Sequence, residues 1–107
     1  MLTVERIEAG FPTAVDVRVS EDTLSVDLHD GRTIHVPLSW YPRLVHATPE
    51  ERKRWRLVGQ GEGIHWDDLD EDISLVGLLL GKASGESQKS FNDWLTRRQT
   101  TKPNPTH

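Results

Sequence analysis

The residues from Gly61 to Ser74 have the greatest potential for chemistry in this chain. The stretch GEGIHWDDLDEDIS contains six acidic residues, one histidine and one tryptophan. Carboxylates and imidazoles bind metal ions, and paired carboxylates act as general acids and bases. Three interpretations therefore compete: a metal site, a catalytic carboxylate cluster and an acidic surface turn.

The aspartate spacing does not fit a calcium loop of the EF-hand type. Asp68, Asp70 and Asp72 fall at positions one, three and five of such a loop. Ile73 then stands at position six, where glycine is needed, and Leu79 at position twelve, where glutamate is needed. A zinc site would need histidines or cysteines, and the chain has no cysteine.

An enzyme or metal protein would draw on one histidine and three aspartates of this stretch, namely His65, Asp67, Asp70 and Asp72. Paired-carboxylate catalysis needs two acids across a cleft with unequal pKa values, which adjacency in sequence does not supply. The sequence also has no nucleophile elbow, phosphate-binding loop or zinc-protease motif. We therefore predict no catalytic residues, no metal ligands and no cofactor.

Opposite charges are concentrated in two nearby segments. Five basic and two acidic side chains lie from Arg43 to Arg56, whereas Glu62 to Asp72 holds six acids and no lysine or arginine. We expect the segments to face each other or to be solvated. The alternative is a nucleic-acid interface formed by Arg43, Arg52, Lys53, Arg54 and Arg56. The net charge of -4 disfavours that alternative.

The length of 107 residues fits one small domain. The longest central apolar run, LVGLLLG, is far shorter than the ~20 residues of a membrane span. Glu5, Arg6 and Glu8 interrupt any apolar signal-peptide core. We therefore predict a cytoplasmic protein without a membrane segment.

Period-two alternation in the first third predicts a three-stranded antiparallel meander over TAVDVRVS, TLSVDLH and RTIHVP. A two-residue loop in the first hairpin gives the pairs Val19 with Leu24, Val17 with Val26 and Val15 with Leu28. A three-residue loop with Gly31 as a left-handed bulge gives the pairs Leu28 with Arg32, Val26 with Ile34 and Leu24 with Val36.

Short helices should follow the meander. Ser39 is the expected cap of a helix over WYPRLVHA. Thr48, Pro49 and Glu51 form a capping-box pattern for a second helix that runs to Arg54 or Trp55. The apolar residues expected to pack these helices on the sheet are Trp40, Tyr41, Leu44, Trp55 and Leu57.

The acidic stretch itself favours a short strand, GIHWDD, followed by a helix over DEDISLVGLLLG. Asp70, Glu71 and Asp72 would lie at or before the helix N-terminus, where anionic groups stabilise the helix dipole. The cap would be Asp72 or Ser74, and Gly81 would end the helix.

The last quarter is predicted to be a polar linker, an amphipathic helix and a disordered tail, TTKPNPTH. Phe91, Trp94 and Leu95 form one apolar stripe, with Ser87 or Ser90 as the cap. We thus divide the chain into an α+β core domain at 1–81 and a C-terminal segment at 82–107. The helix would pack on its own domain, on a partner or on a second copy of the chain.

Residues 13–81 strongly resemble a bacterial and phage family, the domain of unknown function numbered 2442. The motifs are the Asp30-Gly31-Arg32 turn, the run PLSWYP, and GIHW leading into LDEDIS. The resemblance implies a small α+β domain with a short antiparallel sheet covered by helices. It also implies an antitoxin-like role beside small proteins of a second domain of unknown function, numbered 4160, and assigns no catalytic residues.

Together these features predict an α+β fold, a small antiparallel meander covered on one face by short helices. The predicted function is a non-enzymatic protein-binding module that masks a small partner, a toxin by the family resemblance. The predicted partner-binding residues are the acidic face of Trp66, Asp67, Asp68, Asp70 and Glu71, and the docking helix with Phe91, Trp94 and Arg97.

Overall fold

The computed structural model describes residues 12–101, which fold into two three-stranded antiparallel sheets and a few short helices. The first sheet consists of β1 (Ala14–Val19), β2 (Thr23–Leu28) and β3 (Thr33–Pro37). The second consists of β4 (Trp55–Val58), β5 (Gly63–Trp66) and β6 (Glu71–Ser74). The helices are α1 (Pro42–Val45), α2 (Pro49–Lys53), α3 (Leu75–Leu79) and α4 (Gln88–Thr101). The predicted α+β class is confirmed, and the second sheet is an addition to it.

The predicted register of the second hairpin is confirmed. Val26 lies opposite Ile34, and Leu24 lies opposite Val36. Gly31 has a φ of 96°, the left-handed conformation that the bulged turn requires. A two-residue loop would have turned β3 over, so the bulge keeps the apolar side chains of β2 and β3 on one face.

The predicted register of the first hairpin is right at its closed end and wrong at its open end. Val17 lies opposite Val26, but Leu28 lies opposite Ala14 and not opposite Val15. A β-bulge between Ala14 and Asp16 is the cause, because it inserts one extra residue into β1. Val15 therefore points outward and is 49% exposed, whereas Ala14 enters the core.

The capping box at the start of α2 is confirmed. Thr48 Oγ1 accepts a hydrogen bond from the Glu51 amide at 3.1 Å, and Glu51 Oε1 accepts one from the Thr48 amide at 2.9 Å. Helix α2 ends at Lys53, and Trp55 already begins β4. The predicted Ser39 cap is wrong, because Leu38–Trp40 forms a 3-10 turn and α1 begins only at Pro42.

The helix predicted over residues 70–81 begins later, at Leu75, and of its two predicted caps Ser74 is confirmed and Asp72 is wrong. Glu71–Ser74 is strand β6, which pairs with β5 and places Ile73 opposite Ile64. Helix α3 begins one residue later, where Ser74 Oγ accepts a hydrogen bond from the Gly77 amide at 3.3 Å. Strand pairing and burial of alternate residues outweigh the local preference of acids for a helix N-terminus.

One core joins the two sheets. Its largest fully buried side chains are Trp66, Leu24, Leu38, Leu44, Ile64, Leu69, Leu75 and Val26. Tyr41 is buried with them, and Trp40, Trp55 and Leu57 pack against them while partly exposed. Trp66 Nε1 donates a hydrogen bond to the Arg52 carbonyl at 3.1 Å, so α2 is fixed to β5.

Helix α4 packs against this same core. Trp94 is 5% exposed, and Phe91 and Leu95 are partly buried beside it. Ser87 Oγ accepts a hydrogen bond from the Ser90 amide at 3.0 Å, as expected of the cap. Thr101 still belongs to α4, and the remainder of the predicted disordered tail lies outside the described residues. Among residues 12–101, no helix combines the length and the apolar character that crossing a membrane requires.

Candidate functional site

The acidic and basic segments pair with each other around β4 and β5, as the charge pattern predicted. Arg54 Nε lies 2.6 Å from Asp68 Oδ2, and Arg56 Nε lies 3.2 Å from Asp67 Oδ2. Hydrogen bonding to Arg56 lowers the pKa of Asp67. These pairs are exposed, so they contribute little to stability, but they neutralise much of the surface charge.

His65 lies between two carboxylates. Its Nε2 is 3.0 Å from Asp67 Oδ1, and its Nδ1 is 2.8 Å from Asp72 Oδ1. Asp70 lies in the turn before β6, where it has a φ of 52°. Within residues 12–101, no group of three or more histidine, cysteine, aspartate or glutamate side chains is arranged to hold a metal ion. The surface around His65 is therefore a hydrogen-bonded network.

The basic residues of the nucleic-acid alternative do not form one exposed face. Arg52 donates to the carbonyls of Leu44 and Val45, each at 2.9 Å. Arg43 is buried, and Arg54 and Arg56 are paired with aspartates. This arrangement does not favour a phosphate-binding stripe, which needs several unpaired cations in a row.

Arg43 organises the buried side of the acidic stretch. Its Nη1 donates to the carbonyls of Leu69 and Asp70, each at 3.0 Å, which fixes the turn before β6. Its Nε lies 3.0 Å from both carboxylate oxygens of Glu86, and this interaction lowers the pKa of Glu86. The guanidinium also lies 5.1 Å from the centre of the Trp94 ring.

A second arginine holds Trp94 from α4 itself. The Arg98 guanidinium lies 4.7 Å from the Trp94 ring centre, and Arg98 Nη2 lies 3.0 Å from Glu51 Oε1. Cations over an indole face are attracted by its quadrupole, so the two arginines hold the ring within the domain. Phe91 stacks on Trp94 with ring centroids 5.7 Å apart.

The structure therefore separates the predicted partner-binding residues. Trp66 is fully buried and Trp94 nearly so, because their large apolar rings complete the core. Asp67, Asp68 and Asp70 are exposed on the acidic surface. Arg97 is exposed on α4, and Phe91 is turned toward Trp94. The aromatic docking face that the sequence predicted is thus covered by the protein's own domain.

A cleft of about 190 Å³ lies beside β6. Its lining comprises Tyr41, the whole of β6, Gly77 and residues 82–85. The 82–85 segment is held in place by a hydrogen bond from the Ser84 amide to the Trp40 carbonyl at 3.0 Å. Tyr41 Oη also donates to the Lys82 carbonyl at 3.4 Å.

Glu71 is the exceptional residue of this cleft. It is only 8% exposed, yet its carboxylate has no hydrogen bond or ion pair among the described residues. In that part of the chain, every fully buried side-chain nitrogen or oxygen has a hydrogen-bond partner. The carboxylate oxygens of Glu71 must therefore retain contact with solvent, and the cleft is the space that they face.

Burial raises the pKa of Glu71 to about 7, even though Arg43 opposes this shift. Tyr41 is buried as well, and its burial, together with the charge of Glu71, raises the pKa of Tyr41 to about 12. A carboxyl that changes protonation near neutral pH in a cleft is a candidate functional group. The sequence pattern predicts Glu71 as an exposed acid at or before a helix start, whereas the structure buries it in β6. The alternation of Glu71 with Ile73 was the one sequence signal for an inward-facing strand residue.

A larger depression of about 370 Å³ shares residues 72–74 of β6 with the cleft, and its lining also includes Val58, Gly59, Glu62 and Gly63. Its two ionisable lining residues, Glu62 and Asp72, are exposed. It thus has no buried charged group comparable with Glu71, and the cleft beside Tyr41 is the stronger candidate site.

Comparison with known proteins places this fold in a family. Residues 14–84 match the family model described as "Protein of unknown function (DUF2442)". The chain belongs to this family. The resemblance inferred from the sequence motifs is confirmed, with a match over residues 14–84 where the motifs indicated 13–81.

Two solved structures are similar to this DUF2442 chain. A protein of unknown function from Rhodospirillum rubrum ATCC 11170 is 32% identical with a TM-score of 0.62, covering 72% of this chain and 95% of that chain. An uncharacterized protein from Chromobacterium violaceum is 25% identical with a TM-score of 0.62, covering 92% of this chain and 86% of that chain. The search of curated proteins gave no significant match.

The family match contains most of the cleft but not its outer support. Tyr41, Arg43 and Glu71 lie within residues 14–84. Glu86, which neutralises Arg43, and Trp94, which packs on it, lie beyond that range. The C-terminal helix is therefore a part of this chain's fold that the family model does not cover.

Proposed function

We propose that this DUF2442 protein is a non-enzymatic protein-binding module that receives an extended basic segment of a small partner protein along β6. A toxin is the partner that the family resemblance implies. The observation that carries the proposal is the free edge of β6. Among the described residues β6 pairs only with β5, and no backbone hydrogen bond reaches its other side.

An exposed strand edge is a template for another strand. Its outward amides and carbonyls lose hydrogen bonds to water but gain equivalent ones when an extended peptide pairs with them. The cleft beside the edge offers room for one side chain of that peptide. Backbone pairing would supply affinity, and the cleft would supply specificity.

The charges around β6 favour a basic partner. Asp70 and Asp72 are exposed at this edge, with Glu71 between them facing the cleft. An acidic edge repels acidic segments and speeds the encounter with basic ones. Asp67 and Asp68 are paired with Arg56 and Arg54, so of the predicted acidic face the proposal retains Asp70 and Glu71.

The position of one serine–histidine contact on the first sheet supports a non-enzymatic role. Ser25 Oγ lies 2.8 Å from His35 Nδ1, which resembles the contact of a nucleophile with its base. The two residues are a cross-strand pair on the solvent-facing side of the first sheet. Neither residue lines either of the cavities described above. A catalytic pair needs a site that holds the substrate, and this pair lies outside both cavities.

The test is co-purification with the small protein encoded by the adjacent gene. We expect a complex whose formation protects β6 amides from hydrogen exchange and is lost in Asp72→Arg. Asp16→Arg is the matched control, because Asp16 is also an exposed strand carboxylate with one ion-pair partner. Equal loss in both variants, or no complex at all, would contradict the proposal. A dimer of the protein alone that buries β6 would contradict it as well.

A further inference from the structure

We propose that the cleft between Tyr41 and Glu71 is a binding site for an organic cation, the ammonium or guanidinium group of a basic side chain, which Glu71 holds as counter-ion. The inference rests on the proposed function in one respect, that the side chain belongs to the partner. The site itself is argued from the cleft alone.

The first support is the unsatisfied carboxylate. Glu71 is more than nine-tenths buried and lines the cleft, and its carboxylate has no hydrogen-bond partner among the described residues. A buried acid without a hydrogen-bond donor is unfavourable relative to one with a donor. A ligand that brings N–H donors into the cleft would remove this penalty, so the cleft selects for donors.

The second support is the sign of the local charge. Asp70 and Asp72 flank Glu71, and Glu86 faces it from the segment before α4, and all three acids raise its pKa. The cation Arg43 opposes them from α1, but its Nε, Nη1 and Nη2 are already occupied by Glu86 and two carbonyls. The cleft therefore has an excess of negative charge that its own residues do not neutralise.

Lys82 is the remaining cation that belongs to the lining. It contributes its carbonyl, which accepts the hydrogen bond from Tyr41 Oη. The residue is exposed, and its ammonium forms no ion pair among the described residues. Lys82 thus leaves the Glu71 carboxylate available to another cation.

The third support is the nature of the walls, which favours an organic cation over a metal ion. No group of three or more ligating side chains is present among residues 12–101, and Glu71 is the only buried carboxylate of the lining. Tyr41 also lines the cleft, and a tyrosine ring attracts alkylammonium and guanidinium groups. A volume of about 190 Å³ accommodates one side chain of lysine or arginine size.

The protonation of Glu71 adds a signature to this site. With a pKa of about 7, the carboxyl is mostly protonated at pH 6 and mostly ionised at pH 8. Only the ionised form is a counter-ion for a cation. Cation affinity should therefore rise about tenfold between pH 6 and pH 8, in proportion to the ionised fraction.

The experiment uses small probes on the full chain, with methylguanidinium and butylammonium chloride titrated and followed by amide NMR. We expect saturable shifts at residues 71–74 and 82–85 at pH 8, and about tenfold weaker binding at pH 6. Sodium chloride at equal ionic strength is the control for screening. Shifts that sodium chloride reproduces, or that do not saturate, would overturn the proposal.

A matched pair of variants assigns the site. Glu71→Gln keeps the shape of the side chain and should abolish saturable binding, whereas Asp16→Asn, on the first sheet, should leave it unchanged. Should Glu71→Gln fail to fold, the pH dependence of the natural protein decides alone. Binding that persists in folded Glu71→Gln would refute the cation site.

Peptides separate this inference from the proposed function. A short extended peptide with one central arginine should bind more tightly than methylguanidinium, and its citrulline analogue should lose that advantage. Binding of methylguanidinium without any complex with the partner protein would uphold the cleft and refute the proposed function. A partner complex that is insensitive to Glu71→Gln would refute the partner as the source of the cation and leave the proposed function standing.

Discussion

The guanidinium of Arg43 lies with its Nε 3.0 Å from both carboxylate oxygens of Glu86, 43 positions further along the chain. The two side chains are only 10% and 9% exposed. This pair joins α1 to the segment before α4, and the same arginine fixes the turn before β6 through two carbonyls. One cation therefore positions both walls of the cleft.

Removing the counter-ion of Arg43 should destabilise the fold. In Glu86→Ala the buried guanidinium keeps its charge but loses its carboxylate, which costs about 2 kcal/mol. The measurement is the free energy of unfolding in urea. Asp93→Ala is the control, because Asp93 pairs with Lys89 on the exposed side of α4. A loss in Glu86→Ala no larger than the control's would show that the pair is not structural.

The stability of the protein should depend on pH through Glu71. Its pKa is about 7 in the folded protein and near the ordinary 4.5 in the unfolded chain. The folded protein thus binds this proton more tightly, so the free energy of unfolding falls as pH rises from about 4.5 to about 7. The full effect is about 3 kcal/mol.

Glu71→Gln isolates this contribution, because it removes the titration and keeps the shape. We expect the variant to gain stability relative to the natural protein as the pH is raised from 5 to 8. Urea unfolding at several pH values measures this difference. A difference that does not change with pH would mean that Glu71 titrates normally.

The close approach of two chain segments at Gly61 gives a third prediction. Gly61 has a φ of 94°, and a Cβ there would lie 2.6 Å from the Ala14 carbonyl oxygen. Gly31 has a similar φ of 96° but open space around it. Gly31→Ala should cost about 1 kcal/mol for the left-handed backbone alone. Gly61→Ala should lower the stability of the protein by more than Gly31→Ala, because its Cβ would also clash with the Ala14 carbonyl oxygen. A hydrogen bond from the Ala14 amide to the Gly61 carbonyl at 2.8 Å holds the two segments at this short distance. Thermal unfolding of the two variants measures the difference. Equal losses of stability would show that a Cβ at Gly61 causes no clash.

Truncating Trp94 should release α4. The ring fills the space between Arg43 and Arg98, so Trp94→Ala leaves a cavity and costs about 3 kcal/mol. Limited proteolysis should cut the segment after residue 82 much faster in this variant. Thr96→Ala, on the exposed side of the same helix, is the control. Unchanged proteolysis in Trp94→Ala would mean that other contacts hold the helix.

The first sheet could be predicted from sequence because its information is local. Alternation fixes which side chains of β2 and β3 face inward, and Gly31 fixes the turn. The bulge at Ala14 could not be predicted in the same way. The Ala14 amide is held by the Gly61 carbonyl, which lies in the turn between β4 and β5, far along the chain.

The candidate site could not be predicted because its decisive contacts join distant parts of the chain. The acids 70–72 carry a local signal for a helix start, and only pairing with β5 turns Glu71 inward. The cleft exists because Ser84 and Lys82 are held against Trp40 and Tyr41. A local pattern specifies none of these contacts, although it did identify the residues as a charged segment.

Arg98 pairs with Glu51, and Glu86 pairs with Arg43. The C-terminal part of the chain therefore supplies ion-pair partners to the rest of the fold, and a fragment for laboratory work should not be cut between the two. The match to the family model ends at residue 84, before either of these two ion-pair partners from the C-terminal part. An expression boundary drawn at that point would strip two largely buried charges of a partner and expose the face that Trp94 covers. Fragments of this protein should therefore keep α4 together with the two sheets.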